Sequence, residues 1–348
     1  MTETTAEVKP TIDDWRSLYE AAIAFKQNSC WNWMNEDHIF GLQNPFNGEI
    51  GYCCVLGQLG EVYALSVYLG AGGLAGITRM QQQTGGKGSF DMIELQKCLM
   101  ASFDDRNRLD SSSLKMIKEL GMKFRGANAW PNFVSMEPGY LPWKLTSQQE
   151  VQFLTIALEQ TIEVSKQYQF RMEELATRED GQMLILKSEG DLQQLTWTAE
   201  WRQPPGIEDA LKPKSINPIF NELLLTRLLK NVKYRSGIWE IDAFFAPMPI
   251  NEEPRPYFPN IGLILDQNSE QIVHHVLAQG AGQKVDLAEE FLQAVSRHLM
   301  LPHAVWVEDE EAYWQLQPLM DKLNVQLVQV EELTLLSEAR EGMFHAFR

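Results

Sequence analysis

Several sets of residues in this chain have types and spacings that invite a chemical reading. Gly70-Ala71-Gly72-Gly73-Leu74-Ala75 closes the apolar run Val62–Leu69 and has the G-x-G-x-x-A lettering of a dinucleotide-binding turn. Such a turn needs a central parallel strand before it, inside a βαβ unit of about 30 residues. It also needs an acidic residue about 20 positions on, closing the next strand. Here the preceding strand is one arm of a hairpin, the following helix is short, and Asp91 precedes the next strand instead of closing it. The glycines are therefore expected to serve positive φ or close packing at a corner, and no dinucleotide is expected. Gly85–Ser89, "GGKGS", fails as a phosphate loop. Gln81 stands where Walker A needs its first glycine, and Gly88 where it needs Ser or Thr. His38, His274, His275, His298, His303 and His345 show no H-E-x-x-H and no metal spacing with cysteine. Cys30, Cys53, Cys54 and Cys98 form no C-x-x-C pair, and adjacent Cys53 and Cys54 point to opposite faces of a strand. Reduced thiols in a cytosolic protein follow.

Two successive groups of elements carry these residues. In the first, Thr11 and Asp14 have capping-box spacing, and Ile12, Trp15, Tyr19, Ala22 and Ile23 mark one face of an opening helix. Ile50–Gly57 and Val62–Leu69 are joined by a short turn and should pair as an antiparallel hairpin. A short helix Leu74–Gln83, a strand-like run Met92–Phe103 and a helix Ser112–Leu120 stopped by Gly121 come next. Thr146–Leu175 reads as a long amphipathic helix, with Val151, Leu154, Leu158 and Ile162 on one stripe. Gln182–Lys187 and Leu192–Trp201 make a second hairpin. The sum is an α+β domain over 11–205, preceded by a polar tail at 1–10. The proline-rich stretch Arg202–Pro218 marks the boundary, with a linker at 206–216. Asn217 and Pro218 are an N-cap and N1 pair for a helix to Lys230, opening a second domain over 217–348.

Composition bounds the partners. A chain of 348 residues has room for two domains. Its 44% apolar content, with 16 Phe, 10 Trp and 9 Tyr, belongs to a folded protein. Lys and Arg number 30 against 47 Asp and Glu, a net charge of −17 spread over both halves. That field repels phosphate backbones and anionic lipid, so nucleic acid and membranes are not favoured partners. No apolar run reaches the roughly 18 residues of a membrane span. "MTETTAEVKPTIDDW" has neither the basic nor the apolar region of a secretion signal, and the expected location is the cytoplasm.

The second domain reads as strands Gly237–Ile250, Phe258–Asp266 and Ile272–Ala278, a helix Asp286–Leu299, and a strand His303–Asp309. A helix Glu310–Leu323, a strand Val325–Val330 and a closing helix complete the order βββαβαβα. A three-strand meander followed by two crossover units resembles the α/β ribonuclease-H-like fold. That resemblance implies carboxylates at the sheet that hold two Mg²⁺ or Mn²⁺ ions and activate water. An Asp on the first strand, a Glu on the first crossover helix and an Asp closing the fourth strand are called for. Asp242, Glu289 or Glu290, and Asp309 stand in those places, with Asp266 a rival for the first only if the strand count shifts. Plainer explanations exist for each. Asp286 and Glu289 have capping-box spacing. Asp309, Glu310 and Glu311 complement the positive end of a helix. Asp242 shares a strand face with Glu240, which predicts an exposed face. With no basic surface for nucleic acid, the expectation is a silent version of the fold, and a metal-dependent nuclease is the alternative.

The stretch Gly126–Trp143, "GANAWPNFVSMEPGYLPW", interleaves Trp130, Phe133, Tyr140 and Trp143 with three prolines. Rigid aromatics on a stiff backbone suit a partner surface, but a core that cements the long helix to the hairpin is the favoured reading. Together with Trp31, Trp33, "GYCCVLGQLGEVYALSVYLGAGGL" and "PHAVWVEDEEAYWQL", this motif makes the chain resemble an uncharacterised bacterial two-domain family of unknown function. That resemblance implies architecture and supplies no catalytic residues. The sequence thus predicts a non-catalytic cytosolic binding or protein-interaction module, with no cofactor outside the nuclease alternative and no oligomeric state specified.

Overall fold

A computed structural model describes residues 8–82, 95–190, 194–211, 222–246, 248–252, 255–278, 280 and 282–346. The described residues form two compact units, both mixing helices with sheets. One comprises those within Met1–Thr84, Leu95–Glu137 and Pro142–Ile207; the other includes Pro138–Leu141 and those within Glu208–Arg348.

The first unit runs α1 (Ile12–Asn28), β1 (Phe40–Gln43), β2 (Ile50–Leu56), β3 (Ala64–Leu69), α2 (Gly70–Gln82), β4 (Cys98–Asp104) and α3 (Ser111–Glu119). It continues with β5 (Trp130–Met136), β6 (Trp143–Lys144), α4 (Gln148–Tyr168), β7 (Met183–Glu189) and β8 (Thr196–Arg202). All the strands join one sheet in the order β6-β5-β4-β3-β2-β1-β7-β8. Both expected hairpins, β2 with β3 and β7 with β8, pair antiparallel. They belong to one sheet because β7 lies parallel to β1, with Gly41 opposite Ile185. Strands β1 and β5 have no counterpart in the sequence reading. β1 is four residues long, and β5 carries Pro131, which has no N–H for a ladder. β6 reaches β5 only at Val134 and Ser135, so the Pro131 end needs bonds on one side alone, toward Phe103 of β4.

Period-two alternation sends the two faces of this sheet into different cores. On one face Phe40, Cys53, Val67, Leu99 and Phe133 pack with Tyr19 and Phe25 of α1 and with Phe153, Leu154 and Leu158 of α4. On the other, Ile50, Tyr52, Cys54 and Tyr68 pack with Leu74 and Ile77 of α2. The Thr11–Asp14 capping box forms: the Thr11 N–H donates to the Asp14 carboxylate at 2.8 Å, and the Asp14 N–H donates to the Thr11 hydroxyl at 3.2 Å.

Helix α2 starts at Gly70, four residues earlier than its expected start. Gly70 has φ +64° where strand becomes helix, and a Cβ on Gly76 would fall 2.0 Å from the Leu95 carbonyl oxygen. One glycine therefore makes the corner and another brings the helix onto neighbouring backbone. β3 is antiparallel to both its neighbours, so the parallel strand of a dinucleotide turn is missing. Gly85–Ser89, Asp91 and the first residues of the Met92 run lie outside the described residues.

α5 (Ile207–Leu211) begins on the last residue of the first unit, and the second unit continues with α6 (Glu222–Asn231), β9 (Tyr234–Arg235), β10 (Ile238–Phe245), β11 (Asn260–Asp266), β12 (Gln271–Leu277) and α7 (Leu287–His298). Then come β13 (Met300–Leu301), β14 (Ala304–Val307), α8 (Glu310–Leu323), β15 (Gln326–Gln329) and α9 (Thr334–Ala346). Part of the expected linker is thus helical; residues 212–221, with Asn217 and Pro218, lie outside the described residues. The main sheet has the order β12-β11-β10-β14-β15, and β13 pairs β9 apart from it. β10, β11 and β12 form an antiparallel meander, while β14 and β15 add in parallel on the other side of β10. Trp239, Ile241 and Ile264 face α7 and α8, represented by Phe291, Val295, Leu316 and Met320. Phe244, Leu263 and Leu265 face the opposite way, toward Leu333 and Leu336 at the start of α9.

Candidate functional site

Alternation along β10 decides where its carboxylates go. Trp239 and Ile241 take the α7–α8 face, so Glu240 and Asp242 take the α9 face with Phe244. Glu240 is fully buried. It accepts from the Gln267 amide and, at 2.7 Å, from the N–H of Leu336 in the first turn of α9. This overturns the expected exposed face: α9, more than 90 residues away in sequence, roofs it. Asp242 is partly buried, and burial raises its carboxyl to about 7, with the Arg340 guanidinium of α9 pulling down and Asp309 and Glu308 pushing up. Arg340 also lies 5.0 Å from the centre of the Phe244 ring.

The candidate carboxylates do not all converge. Asp309 caps α8, accepting from the N–H groups of Glu311 and Ala312 at 2.9 and 3.1 Å. It neighbours Asp242 closely enough to act on its charge. Glu289 and Glu290 ride α7, on the other side of the sheet. Glu290 meets the buried His274 at 2.6 Å, and Glu289 accepts from the Gln293 amide at 3.0 Å. Among the described residues no group of three or more His, Cys, Asp or Glu is placed to hold a metal ion.

The aromatic–proline residues also separate. Phe133 is core, 4.9 Å from Tyr19 and edge-on to it, so it is closed to any partner. Trp130 packs on Phe124 at 5.8 Å with the Arg106 guanidinium over its ring. Trp143, in β6, is partly buried. Tyr140 belongs to the second unit, where it bridges Tyr257 and lies under Arg255. All the cysteines are free and buried. Burial pushes the Cys30, Cys53 and Cys98 thiols up to about 12, far from a nucleophile's range.

A pocket of about 220 Å³ opens at the first turn of α2, lined by Glu49, Tyr52, Gly70, Ala71, Lys187 and Arg202 among others. Three strands deliver the polar groups: Tyr52 from β2, Lys187 from β7 and Arg202 from β8. Glu200 stands between the cations, 2.8 Å from the Lys187 ammonium and 3.2 Å from the Arg202 guanidinium. The Lys187 hydrogen bond, then the charges of both cations, hold its carboxyl below the ordinary range. Tyr52 is fully buried, yet its hydroxyl and the Arg202 Nε have no hydrogen-bond partner among the described residues. Burial pushes the Tyr52 phenol up to about 12; Arg202 pulls it down and Glu49 pushes it up, which sets both charges beside the hydroxyl. Only the glycine motif marked this place in the sequence. Residues 52, 187 and 202 share no local pattern and meet only through the β2-β1-β7-β8 order.

Fold and sites together define a two-unit mixed α/β protein in which, among the described residues, no helix is long and apolar enough to cross a membrane. Residues 15–186 match a family described as Domain of unknown function (DUF7309), and residues 224–344 match Domain of unknown function (DUF6930). Two domains of unknown function thus span most of the chain. No curated protein and no solved structure matches it.

Proposed function

We propose that this chain is a non-catalytic binding and interaction protein of the cytoplasm, whose second unit is a ribonuclease-H-like domain without nuclease activity. The strand order supports the fold reading: a meander with its first strand central, extended by two parallel strands that follow α7 and α8. The observation that carries the loss of catalysis is the division of the carboxylates between faces. Two-metal cleavage needs ligands converging on ions about 4 Å apart. Here Asp242 lies under α9 beside Arg340, while Glu290 is engaged by His274 on the α7 side. A net charge of −17 further disfavours a nucleic-acid substrate. Trp130 and Trp143, partly exposed, are the positions offered to a protein partner.

The test uses the full chain. Its melting temperature is expected to stay unchanged on adding Mn²⁺, with single-stranded, duplex and hybrid substrates left intact. A rise that Asp242→Asn abolishes, accompanied by cleavage, would establish the nuclease instead. Trp130→Ala and Trp143→Ala are expected to stay folded and lose a pull-down partner; unfolding of both would remove the interaction surface from the proposal.

A further inference from the structure

We propose that the pocket at the start of α2 binds a small carboxylic acid that also carries a hydrogen-bond donor, an amino acid or a hydroxy acid. This gives the first unit a ligand within the binding-protein reading and is independent of the second unit's carboxylates. The donor side is made by three elements. Helix α2 is preceded by Leu69, which has no side-chain acceptor for the first-turn N–H groups, and a helix start attracts anions. Tyr52, fully buried, and the Arg202 Nε add two donors that the described residues leave unmet. Buried polar groups without partners are costly, and both of these belong to residues that line the same pocket, which marks it as a place for a ligand acceptor.

The remaining features narrow the ligand. Glu49 sets its Oε1 2.2 Å from where a Cβ on Gly70 would be, which brings an acceptor to the pocket wall. The ligand must therefore donate as well as accept. Lys187 and Arg202 are balanced by Glu200 and Glu49, so a dianionic phosphate adds two uncompensated charges where a zwitterion adds none. At about 220 Å³ the pocket is below the usual 300–1,000 Å³ of ligand clefts, which suits an amino-acid-sized molecule and rejects a dinucleotide. The glycine motif thus offers its backbone to a smaller anion than its lettering suggests.

Thermal-shift and calorimetric titrations of the full chain test this with three probe sets: the standard amino acids, the hydroxy acids glycolate and lactate, and inorganic phosphate. At least one amino or hydroxy acid is expected to bind with a Kd below about 1 mM. Tyr52→Phe and Arg202→Gln should each weaken it about tenfold or more. Ala71→Asp, which places a carboxylate in the helix's first turn, should abolish binding without unfolding the chain. If Arg202→Gln does not fold, the other two variants decide. Failure of every carboxylate to bind the wild-type chain at about 10 mM overturns the proposal, as does binding by phosphate alone. Binding unchanged in Tyr52→Phe and Ala71→Asp overturns it too. None of these outcomes bears on the Mn²⁺ and cleavage assays, which judge the second unit separately.

Discussion

Glu240 in the second unit and Tyr52 in the first are both fully buried polar residues, and the fold treats them in opposite ways. Glu240 receives the Gln267 amide and the Leu336 N–H, so its carboxylate anchors α9 to the central strand. Among the described residues the Tyr52 hydroxyl has no hydrogen-bond partner. A buried group that the chain itself satisfies holds the structure together; one left open beside unmatched donors points outward, to a ligand. Charge alone would have suggested the reverse assignment, since the carboxylates resemble a metal site and a tyrosine resembles core.

The contrast is broken most severely at Glu240. Replacement by Ala leaves the α9 terminus and Gln267 without their acceptor and opens a cavity, so urea unfolding followed by circular dichroism should show a loss of about 3 kcal/mol. A loss below about 1 kcal/mol would mean that the carboxylate does not anchor α9. Asp242 gives the next largest effect, with the opposite sign. Its folded pKa of about 7 lies above the ordinary 3.8, so the folded state keeps a proton that the unfolded chain releases. Stability therefore falls as pH rises between those values and stays low above them. Asp242→Asn should stabilise the chain by roughly 1–3 kcal/mol at pH 8 and leave it unchanged near pH 4; an equal effect at both pH values would refute the raised carboxyl. Smallest is Tyr52→Phe without ligand, expected within about 0.5 kcal/mol of wild type because it removes a hydroxyl with no partner among the described residues. A larger loss in thermal unfolding would show that the chain does satisfy it.

Local pattern carried much of this architecture. Alternation alone puts Cys53 and Cys54 on opposite faces of their strand, and they lie in different cores. The order of the main elements from β10 to α9 is legible in sequence because α7 and α8 are long, regularly patterned helices that separate the strands, while the two-residue β13 escapes it. What escaped depends on residues distant in the chain. Pro131 reads against a strand unless the short reach of β6 is known, and the face of Glu240 looks exposed until α9 is laid over it. Position along the chain nominates the candidate carboxylates but says nothing of which side of the sheet a crossover helix covers. The pocket was visible only as its glycines, because β1 brings β7 and β8 to β2 and was itself too short to see.

That short parallel pairing has a consequence for the life of the chain as it is made. Ser188 reaches back to Gln43 across 145 residues, and until β7 emerges β1 is an open edge with bare N–H and C=O groups. The first sheet therefore cannot be completed progressively during synthesis. It waits for a late, long-range closure, the kind of step that makes folding slow and leaves nascent chains dependent on protection from aggregation.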